Sequence, residues 1–284
     1  MPMRRCRPLR FAAALLWSAS IALIAACSHA PSPRTPPPES SAMTDSREHG
    51  RFLSRELVLD HGVVHRYQVF VPSLKAGGER PALIVFLHGS GERGDDNRKQ
   101  VEVGLGPIIR ERMDDFPAIV VFPQMHTDQI DADRFAGTAL KILDRAQAEF
   151  NADPKRIVLT GLSMGGYASY ELALMQPDRF AAVVPICGGY DPPKAYDAER
   201  IAALGGALDL DAAARKLRGI PFWIFHGAQD DVVPPRYSRD MSAALKRAGA
   251  DVRYTEFPDA DHNSWDPAYA TAELWPWVFA QHRP

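Results

Sequence analysis

The sequence lacks both a basic surface pattern and a metal-binding motif. Its 284 residues include 33 lysines and arginines against 35 aspartates and glutamates, a formal net charge of −2 at pH 7. A chain with no basic stripe is not expected to bind nucleic acid. There is also no His-Glu-x-x-His pair or comparable ligand cluster. We therefore expect no nucleic-acid partner, no metal and no other cofactor.

A long hydrophobic run is missing too. Residues 11–26 are apolar and follow four arginines, but the stretch is short and diluted with Ala and Ser, so it predicts a signal peptide (1–26) rather than a membrane span. Its end, Leu23-Ile24-Ala25-Ala26-Cys27, resembles a bacterial lipobox. That resemblance implies a lipid anchor at Cys27 and, with Ser28 next, an envelope lipoprotein of the outer membrane. The alternative is an ordinary secretory signal that ends at Ala30 and releases a soluble periplasmic or secreted protein.

Removal of the signal would take away four arginines and no acids, so the formal charge would become −2 − 4 = −6. Residues 27–50 are rich in Pro and Ser and predict an extended tether. Residues 51–284 contain no internal repeat and suit one α/β domain. The sequence makes no prediction of oligomeric state.

Cysteine is scarce, which excludes an internal disulfide framework. Of the three cysteines, Cys6 lies in the signal and Cys27 would carry lipid. Only Cys187 would remain, so the mature chain has no second thiol for it to pair with. Its place at the end of an apolar strand predicts a small buried hydrophobe rather than a nucleophile.

What the chain does have is a serine between two glycines at the end of an apolar strand. The run Ile157-Val158-Leu159-Thr160-Gly161-Leu162-Ser163-Met164-Gly165 predicts a strand and a sharp turn, and a helix-compatible segment follows. Glycines permit the tight turn, which would expose Ser163 and leave the Met164 N–H free for an oxyanion. Because Gly-x-Ser-x-Gly alone occurs by chance, the interpretation depends on other segments.

One such segment is the buried-type strand that runs into Leu87-His88-Gly89-Ser90-Gly91-Glu92-Arg93-Gly94. It resembles the loop after the third strand of α/β-hydrolases, in particular of the dienelactone hydrolase, phospholipase/carboxylesterase and "predicted peptidase" esterase groups. The resemblance implies that the Ser90 N–H is the second oxyanion donor and that His88 lies near the pocket.

The remaining catalytic residues are expected downstream. His226-Gly227-Ala228-Gln229-Asp230-Asp231-Val232-Val233-Pro234 resembles the α/β-hydrolase acid loop and implies Asp230 as the acid, with Asp231 a solvated neighbour. His262-Asn263-Ser264-Trp265-Asp266 resembles the histidine loop of the same esterases. The order serine, acid, histidine is that of the α/β-hydrolase fold.

These residues predict an acyl-enzyme mechanism on carboxylic esters. Ser163 would be the nucleophile, His262 the base and Asp230 the group that orients it. The expected substrate is a small-molecule or polysaccharide-linked ester, such as an aryl, feruloyl or acetyl ester. A serine peptidase or a polyester depolymerase of the same fold remains an alternative. So does a binding lipoprotein built on an inactive hydrolase fold.

The alternation of strands and helices predicts a mostly parallel sheet covered by helices on both faces, and the resemblance described above implies that this sheet has the α/β-hydrolase fold. Two strand patterns before residue 72 predict an antiparallel pair about His61-Gly62, and Asn97 is a candidate helix cap. Residues 191–218 are either a cap insertion or an ordinary helical connection. Trp265 is either a pocket wall or a core anchor.

Overall fold

A single sheet organises the part of the chain that the computed structural model describes, namely residues 49–59, 62–73, 78–126, 132–194 and 197–284. The side chains of 132–134 are not among these. The signal peptide, Cys27, the tether up to residue 48 and His61 lie outside the described residues, so the predictions about them stay predictions. Eight strands are described: β1 Arg51–Val58, β2 Val64–Val71, β3 Ala82–Leu87, β4 Ala118–Pro123, β5 Ile157–Leu162, β6 Ala182–Ile186, β7 Phe222–Gly227 and β8 Val252–Phe257.

The strand order is β1-β2-β4-β3-β5-β6-β7-β8. β1 and β2 pair antiparallel, as predicted, and β2 pairs antiparallel with β4. All other pairs are parallel. The strands from β3 to β7 are buried at every residue, because helices cover both faces of a parallel sheet. Their sequences are apolar and rich in β-branched residues, as is expected of strands that are buried on both faces.

Helices cover both faces, which confirms the predicted α/β-hydrolase fold. The described α-helices are α1 Leu105–Glu111, α2 Ala132–Glu149, α3 Met164–Met175, α4 Ala198–Ala203, α5 Leu210–Leu217, α6 Arg236–Arg247, α7 Trp265–Tyr269 and α8 Leu274–Ala280. One apolar cluster joins one sheet face to α2, α3, α5 and α6. A second joins the other face to α1, α7 and α8.

The parallel strands bring their carboxyl ends to one edge of the sheet. Leu87 is in register with Gly161, Leu162 with Ile186, and Gly227 with Phe257. The loops after β3, β5, β6, β7 and β8 therefore leave from the same edge, where ligands bind in open α/β sheets. No described helix is both long enough and apolar enough to cross a bilayer.

The segment after β3 differs from the sequence expectation. In place of one helix capped by Asn97, it forms short 3-10 turns at Ser90–Glu92 and Lys99–Val101, followed by α1. Asp96, not Asn97, accepts the turn's N–H groups, from Arg98 and Lys99. The expectation failed because Gly104, at φ 58°, separates the two pieces in a left-handed conformation.

Residues 191–218 contribute to the helical layer in their described part. They contain α4 and α5, and Ala213, Ala214 and Leu217 of α5 are buried in the same core cluster as α3 and α6. Arg200 of α4 forms an ion pair of 2.6 Å with Glu171 of α3. The described part of this segment therefore packs as helices on the sheet, and the cap insertion stays a prediction.

Candidate active site

Ser163 occupies a strained turn between β5 and α3. Its backbone has φ 52° and ψ −119°, a combination that is unfavourable for a residue with a side chain. A Cβ on Gly165 would lie 2.0 Å from the Leu87 carbonyl oxygen, and one on Gly161 would lie 2.4 Å from the Gly165 carbonyl oxygen. Only glycine at both positions lets α3 begin this close to the end of β3. The two glycines therefore hold the conformation that presents Ser163 at the sheet edge.

The structure brings the three predicted triad side chains together. Ser163 Oγ lies 3.0 Å from His262 Nε2, and His262 Nδ1 lies 2.8 Å from Asp230 Oδ2. An ionised carboxylate can only accept, so Nδ1 carries the proton and Nε2 is left to accept from the serine hydroxyl. This is the tautomer that a general base needs.

Asp230 is the buried acid of the loop after β7. Its side chain is 0% exposed, and its Oδ1 accepts the N–H groups of Val232 and Val233 at 2.9 and 2.8 Å. Asp231 is exposed. The loop thus turns one of the two adjacent carboxylates toward His262 and the other toward solvent.

The His262 loop is held close to the acid loop. A Cβ on Gly227 would lie 2.1 Å from the Asp261 carbonyl oxygen, so no other residue fits there without displacing the loop that carries His262. Trp265, the first residue of α7, meets the imidazole edge to face, with ring centroids 5.6 Å apart. It is half-buried and packs against the second core cluster, as a core anchor would, and its role as a pocket wall stays a prediction.

Two backbone N–H groups beside Ser163 have the character of oxyanion donors. Met164 begins α3 and Ser90 begins a 3-10 turn, positions at which an N–H has no partner within its own helix. Within the described residues neither N–H donates to a protein acceptor. A Cβ on Gly89 would lie 3.6 Å from Ser163 Cβ, which places the Ser90 loop next to Ser163.

His88 does not line the pocket, and that prediction was wrong. Its side chain is 0% exposed, because it lies beneath the loop that it was expected to flank. Nδ1 donates to the Gly89 carbonyl at 2.6 Å, and Nε2 accepts the Met125 N–H at 2.9 Å. Burial lowers the pKa of His88 to about 4, with Gly89 opposing that shift. It is a neutral residue that supports the Ser90 loop from beneath.

Cys187 is buried as predicted, but it lies directly behind Ser163. Its backbone has φ 40°, and its Sγ accepts the Ser163 N–H at 3.3 Å. Burial raises the pKa of its thiol to about 12. The sequence signal for this contact was its position at the end of β6, next to the serine strand.

His226 is the residue whose contribution the sequence interpretation missed. It was quoted in the acid-loop motif without a role, yet its Nε2 lies 3.1 Å from Asp230 Oδ2. The sequence signal for this contact was the place of His226 at the end of an apolar strand, four residues before Asp230.

One group of possible metal ligands exists among the described residues. The ligand atoms of Cys187, Asp230 and His262 lie within 4.8 Å of one another. This proximity follows from the hydrogen bond between Asp230 and His262, which already uses Oδ2 and Nδ1. The raised pKa of the Cys187 thiol further opposes the thiolate that a metal would need.

The sequence matches a family model described as the prolyl oligopeptidase family over residues 132–280. It is 25% identical over 221 residues to a bifunctional acetylxylan esterase/xylanase of Neocallimastix patriciarum, which covers 73% of this chain. The chain spans only 29% of the length of that relative.

Solved structures share the architecture. One described as a thermostable esterase has 30% identity and a TM-score of 0.63, covering 82% of this chain and 63% of its own. A ferulic acid esterase from the anaerobic fungus Anaeromyces mucronatus has a TM-score of 0.62 and covers 86% of this chain and 95% of its own. Its identity of 16% supports the fold alone.

Proposed function

The chain belongs to the prolyl oligopeptidase family, and on that premise we propose that it is a serine hydrolase that cleaves carboxylic esters. The observation that carries the proposal is the continuous contact from Ser163 Oγ through His262 to Asp230, at 3.0 and 2.8 Å. A serine that is 3 Å from an imidazole, itself bonded to a buried carboxylate, has what it needs to become a nucleophile.

In the proposed mechanism His262 removes the hydroxyl proton as Ser163 attacks the ester carbonyl carbon. The carbonyl oxygen becomes an oxyanion that accepts from the N–H groups of Met164 and Ser90. His262 then gives the proton to the leaving alcohol, and an acyl-enzyme remains. A water molecule then attacks the acyl-enzyme through the same steps, which releases the carboxylic acid and restores Ser163. One oxyanion donor typically contributes about 3–4 kcal/mol to the stabilisation of such a transition state.

An ester is the first-choice substrate because the relatives reported above include esterases. One of these relatives is named for the acetyl ester of xylan, and the other is named for ferulic acid. We extend this to a small-molecule or polysaccharide-linked ester for the present chain. Because of the family's name, a peptidase is an alternative. A polyester depolymerase is a further alternative that would use the same chemistry.

Two tyrosines favour an aromatic acyl group among these esters. Tyr167 lies one helical turn after Ser163, and its N–H donates to the Ser163 carbonyl at 3.1 Å. The Tyr237 ring meets it at 6.3 Å in an edge-to-face arrangement, beside the backbone of Gly189. Both are half-buried. Such a pair offers apolar ring surface close to the nucleophile.

The test is turnover of a matched panel: 4-nitrophenyl acetate, methyl ferulate, acetylated xylan, a polyester film and a peptide nitroanilide. The proposal expects kcat/KM to be highest on an ester, with methyl ferulate above an aliphatic methyl ester of similar size. Ser163→Ala should abolish that turnover. Preference for the peptide would replace the esterase by a peptidase. A protein with no turnover would instead favour the binding lipoprotein.

Envelope anchoring through Cys27 is a separate proposal that rests on the sequence alone. The lipobox-like run predicts that the native protein sediments with membranes and that Cys27→Ala releases it. Intact mass of the native protein tests this, since lipidation adds acyl chains to the mature N-terminus. A chain cleaved after Ala30 without lipid would replace the anchor by a soluble exported protein.

A further inference from the structure

The carboxylate of Asp230 is bonded from more sides than a triad requires. Oδ1 accepts the N–H groups of Val232 and Val233, and Oδ2 accepts from His262 Nδ1. The fourth neighbour is His226, whose Nε2 lies 3.1 Å from the same Oδ2. Two histidines thus share one oxygen of the acid.

His226 is fixed in place on both of its ring nitrogens. It lies in β7 and is 0% exposed. Nδ1 is 2.7 Å from Ser238 Oγ on α6, and Nε2 is 2.9 Å from the Val233 carbonyl as well as 3.1 Å from Asp230. Since Val233 and Asp230 present only acceptors, Nε2 must carry a proton.

The ring is best described as neutral, with its proton on Nε2. Burial lowers the pKa of His226, against the opposing effects of the Val233 carbonyl and Asp230. His262 on the neighbouring loop lowers it further. Glu256 lies beside it on β8 and is paired with Arg239 of α6. Ser238 can turn its hydroxyl to donate to the free Nδ1, in competition with the Gly188 carbonyl at 3.2 Å.

We propose that His226 is a positioning residue for the proposed ester hydrolysis. It holds the Asp230 carboxylate in the orientation that His262 needs, and it occupies part of the hydrogen-bond-accepting capacity of Asp230 Oδ2. This rests on the triad function proposed above. The Nε2–H donates to the Val233 carbonyl at 2.9 Å and also lies 3.1 Å from Oδ2, which it polarises. The imidazolium that His262 becomes during turnover interacts with that same oxygen. Loss of the His226 contact frees Oδ2 to stabilise the charged imidazole and also lets the carboxylate rotate.

A matched pair of variants separates this role from simple packing. In His226→Gln the side-chain amide reaches about as far as Nε2 and can still donate to Asp230. In His226→Asn the amide reaches only the position of Nδ1, beside Ser238. Ser238→Ala serves as the control for damage to the same buried cluster, because it leaves the contact between Nε2 and Asp230 in place.

The measurement is kcat and KM for 4-nitrophenyl acetate across pH 5 to 9, with active sites counted by a fluorophosphonate probe. His226→Asn should lower kcat about tenfold or more, with KM within about twofold, and should move the acidic limb of the pH profile to higher pH. His226→Gln should restore most of kcat and the wild-type limb. Ser238→Ala should lower the midpoint of thermal unfolding without moving the limb.

An acidic limb at the same pH in both His226 variants and in wild type would overturn the inference. Losses in kcat that vanish once active sites are counted would overturn it as well. Failure of the proposed function looks different. In that case the wild-type protein itself would neither hydrolyse the ester nor take up the probe, and no variant would be needed to see it.

Discussion

A His-Gly dipeptide stands at the carboxyl end of two strands, and the two histidines contact different loops. His88-Gly89 directly follows β3 and leads to the loop of Ser90, whereas His226-Gly227 forms the last two residues of β7 and leads to the loop of Asp230. Both imidazoles are 0% exposed, and burial lowers the pKa of both. In each case the histidine holds the loop that follows it through hydrogen bonds to residues of that loop.

The partners distinguish the two histidines. His88 bonds only to backbone, at Gly89 and Met125, and both of its neighbours are neutral. His226 bonds to backbone at Val233 and also approaches the Asp230 carboxylate. The comparison shows that the same dipeptide can support its loop through backbone contacts alone or through contacts that include a carboxylate. We expect His88 to affect stability and His226 to affect the chemistry.

The acid loop should give the largest effect. Asp230→Asn should lower kcat by about ten-thousandfold, because an amide cannot hold the histidine tautomer, as in other triads. Asp231→Asn is the matched control, with the same substitution on the exposed neighbour, and should stay within about twofold of wild type. Steady-state kinetics on purified variants decides this. A more damaging Asp231→Asn would move the acid by one residue.

The oxyanion loop should respond to one added methyl group. In Gly89→Ala the new Cβ would lie 2.9 Å from Leu162 Cδ1 and 3.1 Å from a Glu92 carboxylate oxygen. Because Leu162 is buried in the core, we expect the loop to give way and kcat to fall about tenfold to a hundredfold as the Ser90 donor moves away from the oxyanion.

Gly91→Ala is the control for that variant, because nothing lies within 4 Å of the Cβ it would add. Near-wild-type kcat is expected for it. Should the two variants lose activity equally, the effect would come from general stiffening of the loop, and Ser90 would no longer be favoured as a donor.

Much of this site could be predicted from sequence, for a physical reason. Gly161, Ser163 and Gly165 are close in the chain, so the local spacing alone predicts the turn. The order of Ser163, Asp230 and His262 along the chain added the rest of the triad, through the resemblance to α/β-hydrolases. A parallel sheet brings such strand ends together whatever the separation along the chain.

The contacts that could not be predicted from the sequence are those that depend on packing between secondary-structure elements. His88 was expected at the pocket, but its side chain packs beneath its loop, where its ring centroid lies 4.8 Å from that of Phe135 of α2. The contact of His226 with Asp230 likewise needs the turn at 230–233 to close. Asn97 lost its predicted cap role to Asp96 because its own backbone has φ 54°.

His88 gives the smallest effect on turnover and a distinct effect on stability. Its pKa is about 4 in the folded protein against an ordinary value of 6.5, so between these values the unfolded chain binds a proton that the folded chain does not. Stability should fall as pH drops below 6.5, by about 2 kcal/mol at pH 5 from this residue.

Urea unfolding at pH 7 and pH 5 checks this, with His88→Asn as the comparison. The variant should be less stable at pH 7, because the Met125 N–H loses its acceptor, but should lose less on acidification than wild type does. Its acidic limb of kcat/KM should coincide with that of wild type. An identical loss on acidification in the two proteins would show that His88 is not the group that titrates.

The central claim is that Ser163 is the activated nucleophile, and covalent labelling tests it most directly. A fluorophosphonate should add once to the wild-type protein, with the adduct on the peptide that contains Ser163, and the rate should fall sharply in Asp230→Asn but not in Asp231→Asn. Ser163→Ala should show no adduct by intact mass. An adduct on another residue, or equal labelling of Ser163→Ala and wild type, would contradict the account.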